Sequence, residues 1–236
     1  MPQTLLAKVT KKTNLAGNYW LVVLEFQDAF DFAAGQYVSL KVAEDGTRRS
    51  YSIASAPNTK SVDLLVDVTP MGLGTKYILS LKEGDIVEAM GPMGIFTLAS
   101  KTPKNNKLFI ATGSGIAPMR SMIWDLLLTN KYQGEVQLLW GMRHEGDLFW
   151  QEELMQMNRQ YANFSYQVVL SKPGEHWHGE CGHVGDCLRN GFIVKVADLS
   201  TWEFYLCGNQ EMIMETGAYL AGKGVAKEDI HLEKFF

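Results

Sequence analysis

"FIATGSGIAP", residues 109–118, is an apolar strand-like run that enters a glycine turn and leaves it at a proline. A helix that starts after such a turn presents free backbone N–H groups and a partial positive charge, which suits a phosphate. Thr112 stands where the strand ends, and Gly113 and Gly115 allow a tight bend and close approach of a ligand. Pro118 suits the first turn of a helix, where its missing N–H costs little. The dinucleotide fingerprint Gly-x-Gly-x-x-Gly wants glycine where Pro118 stands, and an acid about twenty residues further on. Here the next strand ends "LLWGMRHEGD", with Gly141 and Arg143 in the region where that acid is sought. On these residues alone two readings stand: an ordinary strand-to-helix turn, and a phosphate turn that is not the usual Rossmann one.

Downstream, strand-like and helix-like stretches alternate. "LFIAT", "EVQLLWG", "FSYQVVLS" and "EFYLCG" read as strands, and "PMRSMIWDLLLTN", "FWQEELMQMNRQY" and "QEMIMETGAYLAGKG" as helices. That alternation predicts a parallel sheet covered on both faces. Upstream the rhythm is different. "YWLVVLEF", "QYVSLKV", "YSIAS", "VDLLVDV" and "DIVEAM" are short and rich in β-branched and aromatic residues, separated by turn signals such as "EDGT", "APN", "KEGD" and "GPMG". They predict a small antiparallel barrel interrupted by one helix around "TKYILSL". The polar stretch "ASKTPKNNK" at 99–107 reads as the linker. The expected fold is therefore an antiparallel β-barrel domain over residues 1–100 followed by a parallel-sheet α/β domain over 101–236.

With 236 residues there is room for two modest domains, and a net charge of -4 gives no reason to expect nucleic acid or an anionic membrane surface as partner. No apolar run reaches the roughly 18 residues of a spanning helix, and "MPQTLLAKVTKK" lacks the apolar core of a signal peptide. The three cysteines, Cys181, Cys187 and Cys207, form neither a disulfide framework nor an iron–sulfur or Cys-x-x-Cys metal set. Cys181 and Cys187 read as structural or incidental, and the histidines of "HWHG" as solvated loop. The expectation is a cytoplasmic protein without a metal.

Four further stretches join the glycine turn. "RSYS" (Arg49, Ser50, Tyr51, Ser52) follows "FAAGQYVSL"; "GLGT" (Gly72, Leu73, Gly74, Thr75) opens the helix of the first half; "CGNQEM" runs from Cys207 through Gly208 to Met212; and the chain ends "LEKFF". In order and spacing, and over essentially the whole chain, these resemble the ferredoxin–NADP reductase family of flavoprotein reductases. The resemblance implies a barrel that binds FAD, an α/β domain that binds NAD(P)H, and hydride transfer from one to the other with no metal or protein nucleophile. Arg49 is then expected to pair with the flavin pyrophosphate, beside Ser50, a role that suits a guanidinium fork. Tyr51 is expected against the isoalloxazine ring and Ser52 close to its reactive N5. Gly72, Leu73, Gly74 and Thr75 are expected to hold the pyrophosphate through a helix N-terminus; FMN has no pyrophosphate, so FAD is favoured.

In the second half, the resemblance makes Thr112, Gly113, Gly115 and Pro118 the NAD(P)H-pyrophosphate turn. Cys207, with Gly208 and Met212 after it, is expected beside the nicotinamide, although a buried thiol in an α/β strand is ordinarily inert. A terminal aromatic is expected to stack on the flavin and move aside for nicotinamide; "EKF" favours Phe235, with Phe236 the alternative. The segment after the third strand, "VVLSKPGEHW", is where the family contacts a 2′-phosphate. Ser171 and Lys172, with Arg143 as a further contact, therefore favour NADPH over NADH. The expected electron acceptor is a separate carrier such as ferredoxin or flavodoxin. A free-flavin reductase is the alternative. A third reading is a non-catalytic redox subunit, against which the missing cysteine cluster argues.

Overall fold

The computed structural model describes residues 2–57, 59–98, 104–129, 132–192 and 195–234. Two compact units divide the chain: Met1–Leu98 with Arg120–Thr129, and Ala99–Met119 with Asn130–Phe236.

The first unit contains β1 (Gln3–Ala16), β2 (Tyr19–Phe26), β3 (Tyr37–Lys41), β4 (Arg48–Ser52), β5 (Ser61–Asp67), α1 (Leu73–Ser80) and β6 (Ile86–Met93). Every strand pairing is antiparallel, in the order β4-β3-β6-β1-β2-β5. Just past β4, Ile53 bridges to Leu64 of β5, so the two ends of that order meet and the sheet curls on itself. The alternation of "YWLVVLEF" explains the inward face: Val22, Leu24 and Phe26 are buried, and Glu25 is exposed. They pack with Val9, Val38, Leu40, Ile53, Leu64, Ile78 and Val87 in one core. Lys12, on β1, donates to the carbonyls of Leu79 (2.5 Å) and Leu81 (2.8 Å) at the end of α1, where a cation favours the helix dipole.

β1 is absent from the sequence-based expectation although it is the longest strand, 14 residues. Only Ala7 and Val9 of it are fully buried, and a register shift between Val9 and Lys11 breaks its alternation. β4 also begins earlier than "YSIAS" indicates, at Arg48, and ends at Ser52.

The second unit is a parallel sheet in the order β10-β9-β8-β7-β11-β12. Its strands are β7 (Asn106–Thr112), β8 (Val136–Met142), β9 (Phe164–Leu170), β10 (Glu180–Cys181), β11 (Trp202–Gly208) and β12 (Ile230–Lys234). Between them in the chain come α2 (Ile116–Trp124), of which the residues from Arg120 on are counted with the first unit, then α3 (Gln151–Gln160), α4 (Val184–Cys187) and α5 (Gln210–Gly222). α2 continues as a π-type turn, Asp125–Thr129. Leu108, Ile110, Leu139, Phe204 and Leu206 form one sheet face, packed against Val184, Leu188, Ile213 and Leu220. All seven residues of β11 are buried, as a strand covered on both faces requires. One of them, Glu203, is neutralised by Lys107 at 2.8 Å and accepts from the Tyr205 hydroxyl at 2.7 Å. Among the described residues no helix is long and apolar enough to cross a membrane.

Candidate active site

In the first unit, β4 and α1 bring "RSYS" and "GLGT" together. A Cβ built on Gly74 would stand 2.6 Å from the Tyr51 hydroxyl and 2.8 Å from Arg49 Cγ, so both side chains lie directly on the first turn of α1. That turn has no side-chain cap at Gly72 and no acid, and its N–H groups and positive end are open to an anion. Thr75 turns its hydroxyl back to the Pro70 carbonyl, 2.5 Å away, and fixes the entry to the helix.

The two adjacent arginines separate cleanly. Arg48 is bound into the sheet, paired with Glu88 and donating to the Ser39 carbonyl at 2.9 Å. Arg49 and Ser50 are exposed. Tyr51 is half-buried against the barrel core, and burial pushes its hydroxyl pKa up to about 12, against a smaller downward pull from Arg49. Ser52 is buried at the end of β4. An exposed guanidinium beside an uncapped helix start is the donor set a pyrophosphate needs, so these residues fit FAD.

In the second unit the glycine turn lies at the C-terminal end of β7, where open α/β sheets bind ligands. Gly113 has φ 56 and opens a short 3-10 turn, Gly113–Gly115, that runs into α2 with Pro118 in its first turn. β11 ends directly beside it. A Cβ on Gly115 would stand 2.6 Å from the Cys207 carbonyl carbon and 2.9 Å from Gly208 Cα. Gly208, at φ 136, has its own missing Cβ 2.8 Å from the Thr112 carbonyl oxygen. The Thr112 hydroxyl accepts from the Asn209 N–H at 2.9 Å, and Asn209 caps α5. Thr112, Gly113, Gly115, Cys207 and Gly208 thus occupy one spot, and Gly115 and Gly208 each answer to a backbone neighbour. Met212 is drawn the other way: its N–H is taken by the Asn209 cap, and its side chain packs on the core.

Cys207 is fully buried. Its thiol donates to Glu233 Oε2 at 3.9 Å, and burial first, then the Glu233 carboxylate, push its pKa well above 9.0. It is therefore a neutral thiol and a poor nucleophile. Glu233 is a site residue the sequence reading missed. Pairing of β12 with β11 sets it opposite Cys207, and only the acid in "LEKFF" hints at it. Phe235 and Phe236 lie outside the described residues.

The loops after β8 and β9 are joined by two backbone bonds, Ser171 N–H to the Met142 carbonyl (3.0 Å) and Lys172 N–H to the Arg143 carbonyl (2.9 Å). Arg143, Ser171 and Lys172 are thereby gathered, all exposed, together with His144, whose Nδ1 lies 3.1 Å from the Lys172 carbonyl. A cavity of about 830 Å³ is lined by Asn106, Gln137, Asp186 and Trp202 among others, and by none of these groups. Among the described residues no group of three or more His, Cys, Asp or Glu is placed to hold a metal ion.

Known protein families match the chain in both of these regions. Residues 6–98 match the oxidoreductase FAD-binding domain family, and residues 109–217 the oxidoreductase NAD-binding domain family. Ferredoxin–NADP reductase B of Sorangium cellulosum is 32% identical over 215 residues, covering 88% of this chain and 86% of that protein. A component of the Na(+)-translocating NADH-quinone reductase of Actinobacillus pleuropneumoniae is 34% identical over 225 residues, covering 89% of this chain and 54% of that protein. The crystal structure of an Amycolatopsis cytochrome P450 reductase superposes with a TM-score of 0.89 at 28% identity, covering 99% of this chain and 70% of that one. A Plasmodium falciparum ferredoxin-NADP+ reductase, at 23% identity, shares the fold with a TM-score of 0.83, covering 99% of this chain and 97% of that one. The chain is an FAD-dependent NAD(P)H oxidoreductase, and it belongs to the ferredoxin–NADP reductase family.

Proposed function

We propose that this enzyme takes hydride from NADPH onto FAD and passes the electrons singly to a separate carrier protein of the ferredoxin or flavodoxin kind. FAD, when bound, supplies the chemistry that converts a two-electron donor into a one-electron source. The chain's residues bind, orient and exclude water. In the barrel domain, residues 1–100, Arg49 and the first turn of α1 from Gly72 to Thr75 hold the FAD pyrophosphate, with Ser50 beside them. Tyr51 lies against the flavin ring, and Ser52 donates close to N5. In the α/β domain, residues 101–236, the turn Thr112–Gly115 with Pro118 holds the coenzyme pyrophosphate. Cys207 and Gly208 form the wall that receives the nicotinamide. Met212 supports that wall from α5, and Phe235, with Phe236 after it, covers the flavin until the nicotinamide arrives. A neutral Cys207 thiol suits such a wall, since it neither attacks nicotinamide nor sets a thiolate beside it.

The observation that carries this reading is the close fit of Gly115 against the Cys207 and Gly208 backbone, which brings the glycine turn and the end of β11 into contact at two adjacent strand ends. The preference for NADPH is supported by Arg143, Ser171 and Lys172, gathered where two cationic side chains can meet a 2′-phosphate. Three free cysteines suit a reducing compartment such as the cytoplasm.

The test is the visible spectrum of the purified protein, with its flavin released and identified, followed by anaerobic additions of NADPH and NADH. Tightly bound FAD that NADPH bleaches faster than NADH, and that ferredoxin or flavodoxin then reoxidises, supports the proposal. A colourless protein that oxidises coenzyme only with added free flavin refutes it in favour of a flavin reductase.

A further inference from the structure

Behind the glycine turn stands an aromatic group with a specific bond to it. The Trp140 indole Nε1–H donates to the Gly113 carbonyl at 3.1 Å, from 27 residues away in sequence. Trp140 is fully buried on β8, paired with Ala111, one step before Gly141 meets Thr112. Phe149 holds its ring edge-on at 4.9 Å, and Trp150 in turn meets Phe149 edge-on at 5.0 Å. Trp150, at φ 54, is the one non-glycine residue in the left-handed region among the described residues, a conformation that persists only where its surroundings impose it.

The Gly113 carbonyl also accepts the N–H of Ile116, which closes the 3-10 turn. A carbonyl oxygen has two lone pairs, and here both are engaged, one from inside the turn and one from Trp140. The Gly113–Ser114 peptide plane is thereby fixed. Because the peptide is planar and trans, the Ser114 N–H must point opposite to the carbonyl, away from Trp140. Gly113 itself has the rotational freedom to turn that plane over, so the turn's own sequence does not fix the direction.

We propose that Trp140 is the positioning residue of the coenzyme turn: its indole N–H anchors the Gly113 carbonyl and thereby aims the Ser114 N–H at the coenzyme pyrophosphate. The inference rests on the reading of this turn as the NAD(P)H-pyrophosphate site. It assigns Trp140 a function beyond filling the sheet's core, acting through the backbone and touching neither coenzyme nor flavin.

The test is Trp140→Phe in the flavin-loaded protein, a change that keeps a buried aromatic ring and removes the donor. The readouts are NADP+ titration of the oxidised protein, KM and kcat with NADPH and with NADH, flavin content and thermal midpoint. Loss of one hydrogen bond predicts a rise in KM and Kd of about five-fold. NADPH and NADH must suffer equally, because they share the pyrophosphate, while kcat and flavin content stay near wild type. Unchanged KM for both coenzymes, an effect on one coenzyme alone, or a fall in kcat without a change in KM overturns the proposal. If Trp140→Phe does not fold, Phe149→Leu, which loosens the indole but keeps its N–H, is read by the same measure: a matched KM rise supports the role and unchanged KM overturns it. Wild-type protein that oxidises neither coenzyme removes the site reading and this proposal together; active wild type with an unaffected Trp140→Phe removes this proposal alone.

Discussion

Replacing Gly115 with alanine tests the close contact between the glycine turn and the end of β11. The added methyl would stand 2.6 Å from the Cys207 carbonyl carbon and 2.9 Å from Gly208 Cα, and closer still to the Cys207 oxygen, where ordinary contact begins at 3.4 Å. All three obstacles are backbone, so no rotamer change relieves them, and the two strand ends must part by roughly 1 Å. A displacement of that size at a reacting centre costs on the order of 100-fold in rate. Overpacking of this kind also costs about 1–3 kcal/mol of stability. For a chain of this length that lowers the thermal midpoint by roughly 2–4 °C per kcal/mol. The assay is anaerobic stopped-flow bleaching of the bound flavin by NADPH, with flavin content and thermal midpoint measured beside it. Arg49 and α1 are untouched, so FAD occupancy is expected to hold while reduction slows. Gly222→Ala is the control, because a Cβ there meets nothing within 4 Å and Gly222 needs no positive φ. Gly115→Ala protein that is folded, yellow and reduced within about two-fold of the wild-type rate, a barrier change below about half a kcal/mol, refutes the reasoning.

Other substitutions separate the remaining roles. Arg49→Ala is expected to weaken FAD by about 1.5–3 kcal/mol, the worth of hydrogen bonds to a charged group. Flavin retained per chain after gel filtration reads that loss, and Arg48→Ala, whose side chain is spent on Glu88 and Ser39, is expected to retain its flavin. Lys172→Ala is expected to raise KM for NADPH by roughly five- to ten-fold and to leave NADH unaffected, one exposed charge contact being worth about 1 kcal/mol; equal effects on the two coenzymes would exclude a 2′-phosphate contact. Tyr132 sets a pH dependence: burial first, then Glu203, raises its pKa from 10.0 to about 12. Between those values the folded chain holds a proton that the unfolded chain has lost, so stability falls as pH rises through that window. Tyr51, raised to about 12 as well, adds to the same loss. Thermal midpoints across that range should fall less steeply in Tyr132→Phe than in wild type.

Much of this architecture is legible in the sequence because the informative residues are local. "YWLVVLEF" coincides with β2 residue for residue, and "FSYQVVLS" with β9 to within its last position, since apolar periodicity and β-branched content need no partner to be read. β1 and β12 escape that reading. β1 is charged along its outer face and broken by a bulge, and β12 is a five-residue edge strand, "IHLEK", with no fully buried position. With β12 goes Glu233, whose place beside Cys207 is a matter of strand register alone. The Trp140 bond to Gly113 is hidden for a related reason, being a long-range contact made by a residue that reads as ordinary core. Local motifs thus announce where the backbone turns. What stands behind a turn is decided by pairings that no window of sequence contains.

The loops after β8 and β9 are coupled to each other through main-chain atoms, with Arg143, His144, Ser171 and Lys172 outward on that frame. A side-chain substitution other than proline at any of these positions leaves both backbone bonds intact and removes nothing from the core. Whatever the four side chains recognise can therefore drift from lineage to lineage without a toll on folding. Related chains can then diverge in ligand preference by single mutations while the sheet beneath them is inherited unchanged.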